Sequence, residues 1–246
     1  MRLVFAAFGL ILPTISTYSD SSSDSLLRHY TATIKAIDNN TIYFINGKHM
    51  VYDDFKTKTV QELLDRPDVQ DQFHYSYNKT FNTTANTDAG RIRSDAFFKA
   101  VYGANAQEVS RNLTEVVWCP KLVNTKLRFS RINGANKALE RVSQELDQHP
   151  EWKKYLTNIG GTFNWRVVNG TKRLSSHSFG ITIDLNTRYS HYWQWDCKCT
   201  DENTIPQYHN NIPQGIVEIF EKHGFIWGGK WKHYDTMHFE YRPELF

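Results

Sequence analysis

Three cysteines in 246 residues are too few for a disulfide framework, so packing rather than cross-linking has to hold this chain together. No internal stretch reaches the roughly 18 consecutive apolar residues of a membrane-spanning helix. Neither sign of charge dominates. The 29 Lys and Arg against 26 Asp and Glu leave +3, too mild an excess to argue for nucleic acid. The helical metal motif HExxH is absent, and no repeat of fixed period appears. Aromatic residues are plentiful instead: 7 Trp, 13 Tyr and 15 Phe favour an aromatic-lined core and cleft. With 40% apolar and 22% charged residues, a disordered or fibrous chain is excluded. At roughly 100–200 residues per domain, the length allows one large domain or one domain with a sizeable extension.

Residues 1–19 stand apart. Arg2 precedes an apolar run from Leu3 to Leu12, followed by Pro13 and small residues. That is the layout of a secretory signal peptide, and it predicts a secreted or periplasmic protein. Asp20 to Ser25 is a polar lead-in. Thr31–Ile37, Thr41–Ile45 and Met50–Tyr52, punctuated by Asp38-Asn39-Asn40 and Asn46-Gly47, predict a small meander of strands. Thr59 followed by Glu62 predicts a capping box opening a short helix. Residues 71–95 lack a clear period and read as a long surface excursion.

The second half is better patterned. Ala135, Ala138, Leu139, Val142 and Leu146 fall on one stripe of a helix. Pro150 and Pro213 each start a further helix, the latter stopped by Gly224. In Ile181–Leu185 and in Met237–Tyr241 apolar residues alternate with polar ones. Thr182 and Asp184 therefore share one strand face, and His238 and Glu240 share another.

Those polar faces carry the chemistry. His177, Asp184 and His238 offer two imidazoles and a carboxylate, the set with which a catalytic zinc keeps three protein ligands and one open position. They form it if the two strands lie side by side with their polar faces aligned. Asp235, just ahead of the second strand, stands where a general base is needed. None of the other eight histidines forms a pair at helical metal spacing.

The string Ser175-Ser176-His177-Ser178-Phe179-Gly180-Ile181-Thr182-Ile183-Asp184 resembles the S-x-H-x-x-G-x-x-x-D signature of the M15 zinc peptidases. That family holds D-alanyl-D-alanine carboxypeptidases and endolysin-type peptidases. Asp235 to Glu240 resembles its second element, Trp227-Gly228-Gly229-Lys230-Trp231 its W-G-G-x-W lead-in, and Gly161 to Arg166 its arginine-bearing segment. The resemblance spans about residues 115–246 and implies a zinc peptidase domain there, leaving the signal peptide (1–19) and an N-terminal extension without an assignable motif (20–114) ahead of it.

The resemblance implies roles as well. His177, Asp184 and His238 would hold Zn²⁺, and Asp235 would take a proton from the attacking water. Some relatives carry Glu there, and the shorter Asp would need that water closer. Arg166 would stabilise the charge developing on the scissile carbonyl or clamp a substrate carboxylate. Ser175 would hydrogen-bond near the substrate, and Trp227, Trp231 and Glu240 would support the site. The implied substrate is a peptidoglycan stem peptide, cut at D-Ala-D-Ala or, alternatively, at L-Ala-D-Glu. The implied fold is α+β, hedgehog/DD-peptidase-like. A central, mostly antiparallel sheet carries the ligands on one face and helices on the other, with a β-rich N-terminal extension.

Two other readings remain. One is a zinc-holding binding module, as in the hedgehog signalling proteins, and the other is an aromatic-rich glycan-binding wall protein. In an oxidising compartment Cys119 would bridge to Cys197 or Cys199 and leave an odd thiol. Asn-x-Ser/Thr sequons stand at Asn39, Asn78, Asn82, Asn112 and Asn169.

Overall fold

The computed structural model describes residues 21–80 and 87–246, so the signal peptide read at 1–19 and the sequon at Asn82 lie outside the described residues. Helix α1 (Ser22–His29) leads into strands β1 (Ile34–Asp38), β2 (Thr41–Phe44) and β3 (His49–Val51), which pair as an antiparallel meander in that order. This is the meander the turn residues predict. Helix α2 (Val60–Asp65) begins with the expected capping box: Thr59 Oγ1 accepts the Glu62 N–H, and the Glu62 carboxylate accepts the Thr59 N–H. Helices α3 (Asp95–Tyr102) and α4 (Ala106–Arg111) follow. The N-terminal third is therefore a mixture of helices and one small sheet rather than mainly strands.

Strands β4 (Leu113–Trp118) and β5 (Thr125–Ser130) form an antiparallel ribbon, and helix α5 (Ala135–Leu146) packs on it. The stripe read from the sequence is the buried face of α5, since Ala135, Ala138, Leu139, Val142 and Leu146 are all fully buried. The short helix α6 (Lys153–Leu156) leads into β6 (Ile159–Gly161). Then come β7 (Thr182–Asn186), α7 (Trp193–Cys197), α8 (Gln214–Lys222), β8 (Phe225–Trp227) and β9 (His238–Tyr241). The last four strands of this series make a sheet in the order β6-β7-β9-β8, antiparallel at each junction. The fold is α+β with antiparallel sheets.

The two faces of that sheet are covered differently. On the apolar face, Phe220 of α8 stacks on Phe239 of β9 with ring centroids 3.9 Å apart. On the polar face, Thr182 and Glu240 are fully buried, because residues 88–94 lie across them and Arg93 pairs with Glu240 at 3.1 Å. The reading of 71–95 as a surface excursion is thus corrected. Asp71, Gln72, Tyr77, Asp88, Ala89 and Ile92 are buried, so the described parts of this segment pack against the rest of the chain. One apolar core joins both ends of the chain, running from Leu26, Tyr30 and Ile34 through α5 to Phe239 and Tyr241.

The cysteine pairing is also corrected. Cys197 bonds to Cys199, while Cys119 is a buried free thiol. Cys119 sits against α5, its N–H donating to Ser143 Oγ at 2.7 Å, which keeps it in the core.

Candidate metal centre

His177 lies in a 3-10 turn, Ser176–Phe179, that delivers the chain into β7. The turn ends at Gly180, whose φ of +66° is a left-handed conformation that suits glycine. A Cβ there would stand 2.4 Å from Leu113 Cδ2. His177 Nδ1 is 2.7 Å from the Thr162 carbonyl, so its N–H donates there and Nε2 is left facing the site. Asp184 on β7 pairs directly across from His238 on β9, so the alternation in the two strands puts them on the same face. His177 Nε2 lies 3.0 Å from Asp184 Oδ2, and His238 Nδ1 lies 3.1 Å from Asp184 Oδ1. Behind His238, Nε2 is 3.3 Å from Ser176 Oγ and 3.5 Å from Glu240 Oε2.

Asp235 is held close to the same place by the tight segment before it. Its N–H donates to the Gly228 carbonyl at 3.0 Å, and a Cβ on Gly228 would come within 2.6 Å of the Asp235 carbonyl oxygen. That approach explains the first glycine of W-G-G-x-W. Trp227 Nε1–H donates to Thr236 O at 2.9 Å, and Trp231 Nε1–H donates to Ala89 O at 2.6 Å. Both tryptophans therefore brace the loop, as their assignment to packing expects.

The candidate ligands form one closely interacting ionisable cluster. Burial would push the Asp184 carboxyl up, but the imidazoles of His177 and His238 outweigh it and hold the group well below the usual range. Burial disfavours a charged His238, yet Asp184 and Glu240 raise its pKa to about 10. Asp235 is pushed up to about 7, first by burial and then by the charge of Asp184. Its Oδ1 is buried and has no hydrogen-bond partner among the described residues. Two imidazole nitrogens and a carboxylate, all with ligand atoms within 4.8 Å of one another, fit Zn²⁺. A tetrahedron with arms of about 2.0 Å has edges of about 3.3 Å, close to the nitrogen–oxygen separations seen here.

These residues line a cavity of about 380 Å³. Arg166 and Ser175 line it as well. Arg166 is exposed, with its Nη1 only 3.4 Å from the Val167 carbonyl, and Ser175 N–H donates to Arg166 O at 3.0 Å. The structure thus brings all six residues singled out in the sequence to one cavity. It adds Arg91, Arg93 and Arg173 to the wall. The pKa of Arg173 is lowered by burial and then by the charges of Arg91 and Arg93 beside it. Sequence reasoning missed this basic wall. The available signal was the alternation Arg91-Ile92-Arg93, with a buried apolar residue between two cations in a segment otherwise without period.

No curated protein and no solved structure matches the chain. Residues 169–241 match the M15 peptidase family model described as D-alanyl-D-alanine carboxypeptidase, a stretch holding Ser175, His177, Asp184, Asp235 and His238 but not Arg166. The resemblance read from the sequence is thereby borne out, and the match supports a peptidase of the D-alanyl-D-alanine carboxypeptidase-like M15 family.

Proposed function

We propose that the protein is an exported zinc peptidase that removes the terminal D-alanine from peptidoglycan stem peptides. The observation that carries this reading is the convergence of His177, Asp184 and His238 beside the buried, unpartnered Oδ1 of Asp235 in one cavity. His177 through Nε2, Asp184 and His238 through Nδ1 would hold the ion. When bound, Zn²⁺ supplies Lewis acidity towards a peptide carbonyl and water.

The rest is the work of the side chains. The Thr162 carbonyl fixes the tautomer of His177, and Ser176 with Glu240 backs the outer nitrogen of His238. Asp235 accepts the proton of the attacking water and returns it to the leaving amine, a task for which its Oδ1, with no hydrogen-bond partner among the described residues, is placed. Arg166 faces the cavity, where it would stabilise the carbonyl oxygen as charge develops. The family model's description as a D-alanyl-D-alanine carboxypeptidase favours removal of a terminal residue over an internal cut. The apolar run behind Arg2 supports export, which would place the enzyme with the wall.

The test is digestion of a synthetic stem pentapeptide and of purified sacculi, with products read by mass spectrometry for wild type, Asp235→Ala and a chelator-treated sample. Loss of one D-alanine that depends on both metal and Asp235 is the expected result. Release at L-Ala-D-Glu would reassign the enzyme as an endopeptidase. Stoichiometric zinc with neither bond cut would leave a binding module.

A further inference from the structure

Among the described residues, three more clusters of possible ligands lie outside the candidate centre. Asp88, Glu202 and His233 converge, but Arg91 already sits among them, 2.8 Å from Asp88 and 2.9 Å from Glu202. Asp53, Asp54 and Asp68 are all acidic, and Lys58 pairs with Asp54 at 3.0 Å and with Asp68 at 2.8 Å. The remaining cluster has no such cation. His191, Asp196 and His209 place their ligand atoms within 4.8 Å of one another.

From this cluster we infer that His191 Nδ1, His209 Nδ1 and Asp196 hold a second divalent transition-metal ion of the Zn²⁺ class, which clamps the 191–209 segment onto the strand end that carries Asp235.

The geometry repeats that of the candidate catalytic centre. Each imidazole Nδ1 lies 3.1 Å from Asp196 Oδ2, and the two rings are 5.4 Å apart at 58°. In the first centre the separations are 3.0 and 3.1 Å, with rings 5.5 Å apart at 70°. Hydrogen bonding alone accounts poorly for the arrangement. Tyr234 Oη–H also donates to Asp196 Oδ2, at 2.7 Å, so three groups crowd one oxygen. A carboxylate oxygen has two lone pairs, and its twin would ordinarily share the donors. One cation in place of two imidazole N–H donors relieves that crowding and keeps the tyrosine as an outer support. The outer nitrogen of His191 has such a support too. The Asn211 side-chain amide is 2.9 Å from Nε2, and turned over it presents its oxygen to the Nε2–H and leaves Nδ1 unprotonated for the metal. The side chains are 26%, 22% and 43% exposed for His191, Asp196 and His209, so solvent completes the coordination. Imidazole and carboxylate ligands suit Zn²⁺.

The clamp acts on a defined place. His191 N–H donates to Thr236 Oγ1 at 2.7 Å, and Thr236 N–H donates to His191 O at 2.9 Å. Trp193 N–H donates to Tyr234 O at 2.9 Å, and Tyr192 bridges Asp235. Asp196, Tyr234 and the backbone of residues 234–236 are therefore tied to the proposed ion site by hydrogen bonds.

The test counts metal. The full chain, stripped by chelation, is titrated with Zn²⁺ against a competing indicator for wild type, His177→Ala, His209→Asn and the pair combined. Wild type is expected to take about two equivalents, each single variant about one, and the pair none. Zinc is also expected to raise the melting temperature of His177→Ala but not that of the combined variant, which separates lost binding from lost folding. Equal zinc content in wild type and His209→Asn overturns the second site. The outcomes are independent of the first centre: if His177→Ala changes nothing while His209→Asn loses an equivalent, the proposed catalytic centre fails and the clamp stands.

Discussion

Arg166 differs from the other residues of the cavity in how little supports it. It is exposed, and its guanidinium reaches only the neighbouring carbonyl at 3.4 Å. Arg166→Ala should therefore leave thermal stability and zinc content unchanged while kcat/KM falls by about 10²–10³, the scale of losing one donor to a developing oxyanion. Kinetics and a metal assay on the same preparation check both halves. Asp88 is the opposite kind of residue. It is buried, and although burial opposes its charge, Arg91 and His233 hold its carboxyl well below the usual range. A carboxyl depressed in the folded state stabilises the protein above its unfolded pKa of about 3.9 and loses that contribution as pH falls towards the folded value. Asp88→Asn should be less stable than wild type at neutral pH. On acidification below about pH 4 it should lose less, so the two urea-unfolding midpoints approach each other.

Among the elements, β7, β9 and the turn before β7 place the ligands. Gly180 closes that turn with a positive φ, and a side chain there would meet Leu113 at the start of β4. Gly180→Ala should cost about 1–2 kcal/mol from the left-handed backbone alone. Because the displaced turn carries His177, zinc affinity should drop with it, and calorimetry with a zinc titration checks the two together. These elements were legible in the sequence because two-residue alternation is a local signal. Ile183 and Leu185 point one way and Asp184 the other, whatever lies beyond. The capping box at Thr59 and the stripe of α5 are local in the same sense. The burial of the polar strand face was not legible, because what covers it comes from residues 88–94, about 150 positions away along the chain. Nor was the meeting of His191 with His209, since an irregular loop gives no period from which to infer that distant side chains converge.

At the scale of the molecule, the stretch that carries the family signature is not the whole of the folded unit. Phe98 of the N-terminal part packs against Phe179 with ring centroids 5.3 Å apart, Ser25 Oγ–H donates to Glu244 O at 2.7 Å, and Arg93 neutralises the buried Glu240. A chain beginning at residue 115 would expose that apolar surface, at about 1.5–3 kcal/mol for each large apolar side chain uncovered, and would strip Glu240 of the residues that cover it and of its Arg93 partner. It should fail to give a cooperative unfolding transition by calorimetry, whereas one beginning at residue 21 should unfold in a single step. Cys119 provides a way to watch that transition. Its thiol is wholly buried between β4 and α5, and burial, followed by the charge of Asp147, pushes its pKa up to about 12. With the other two cysteines bonded to each other, an alkylating reagent finds no thiolate on a native molecule and one on an unfolded molecule. Incorporated label then becomes a clock built into the chain, marking each molecule the first time it comes apart.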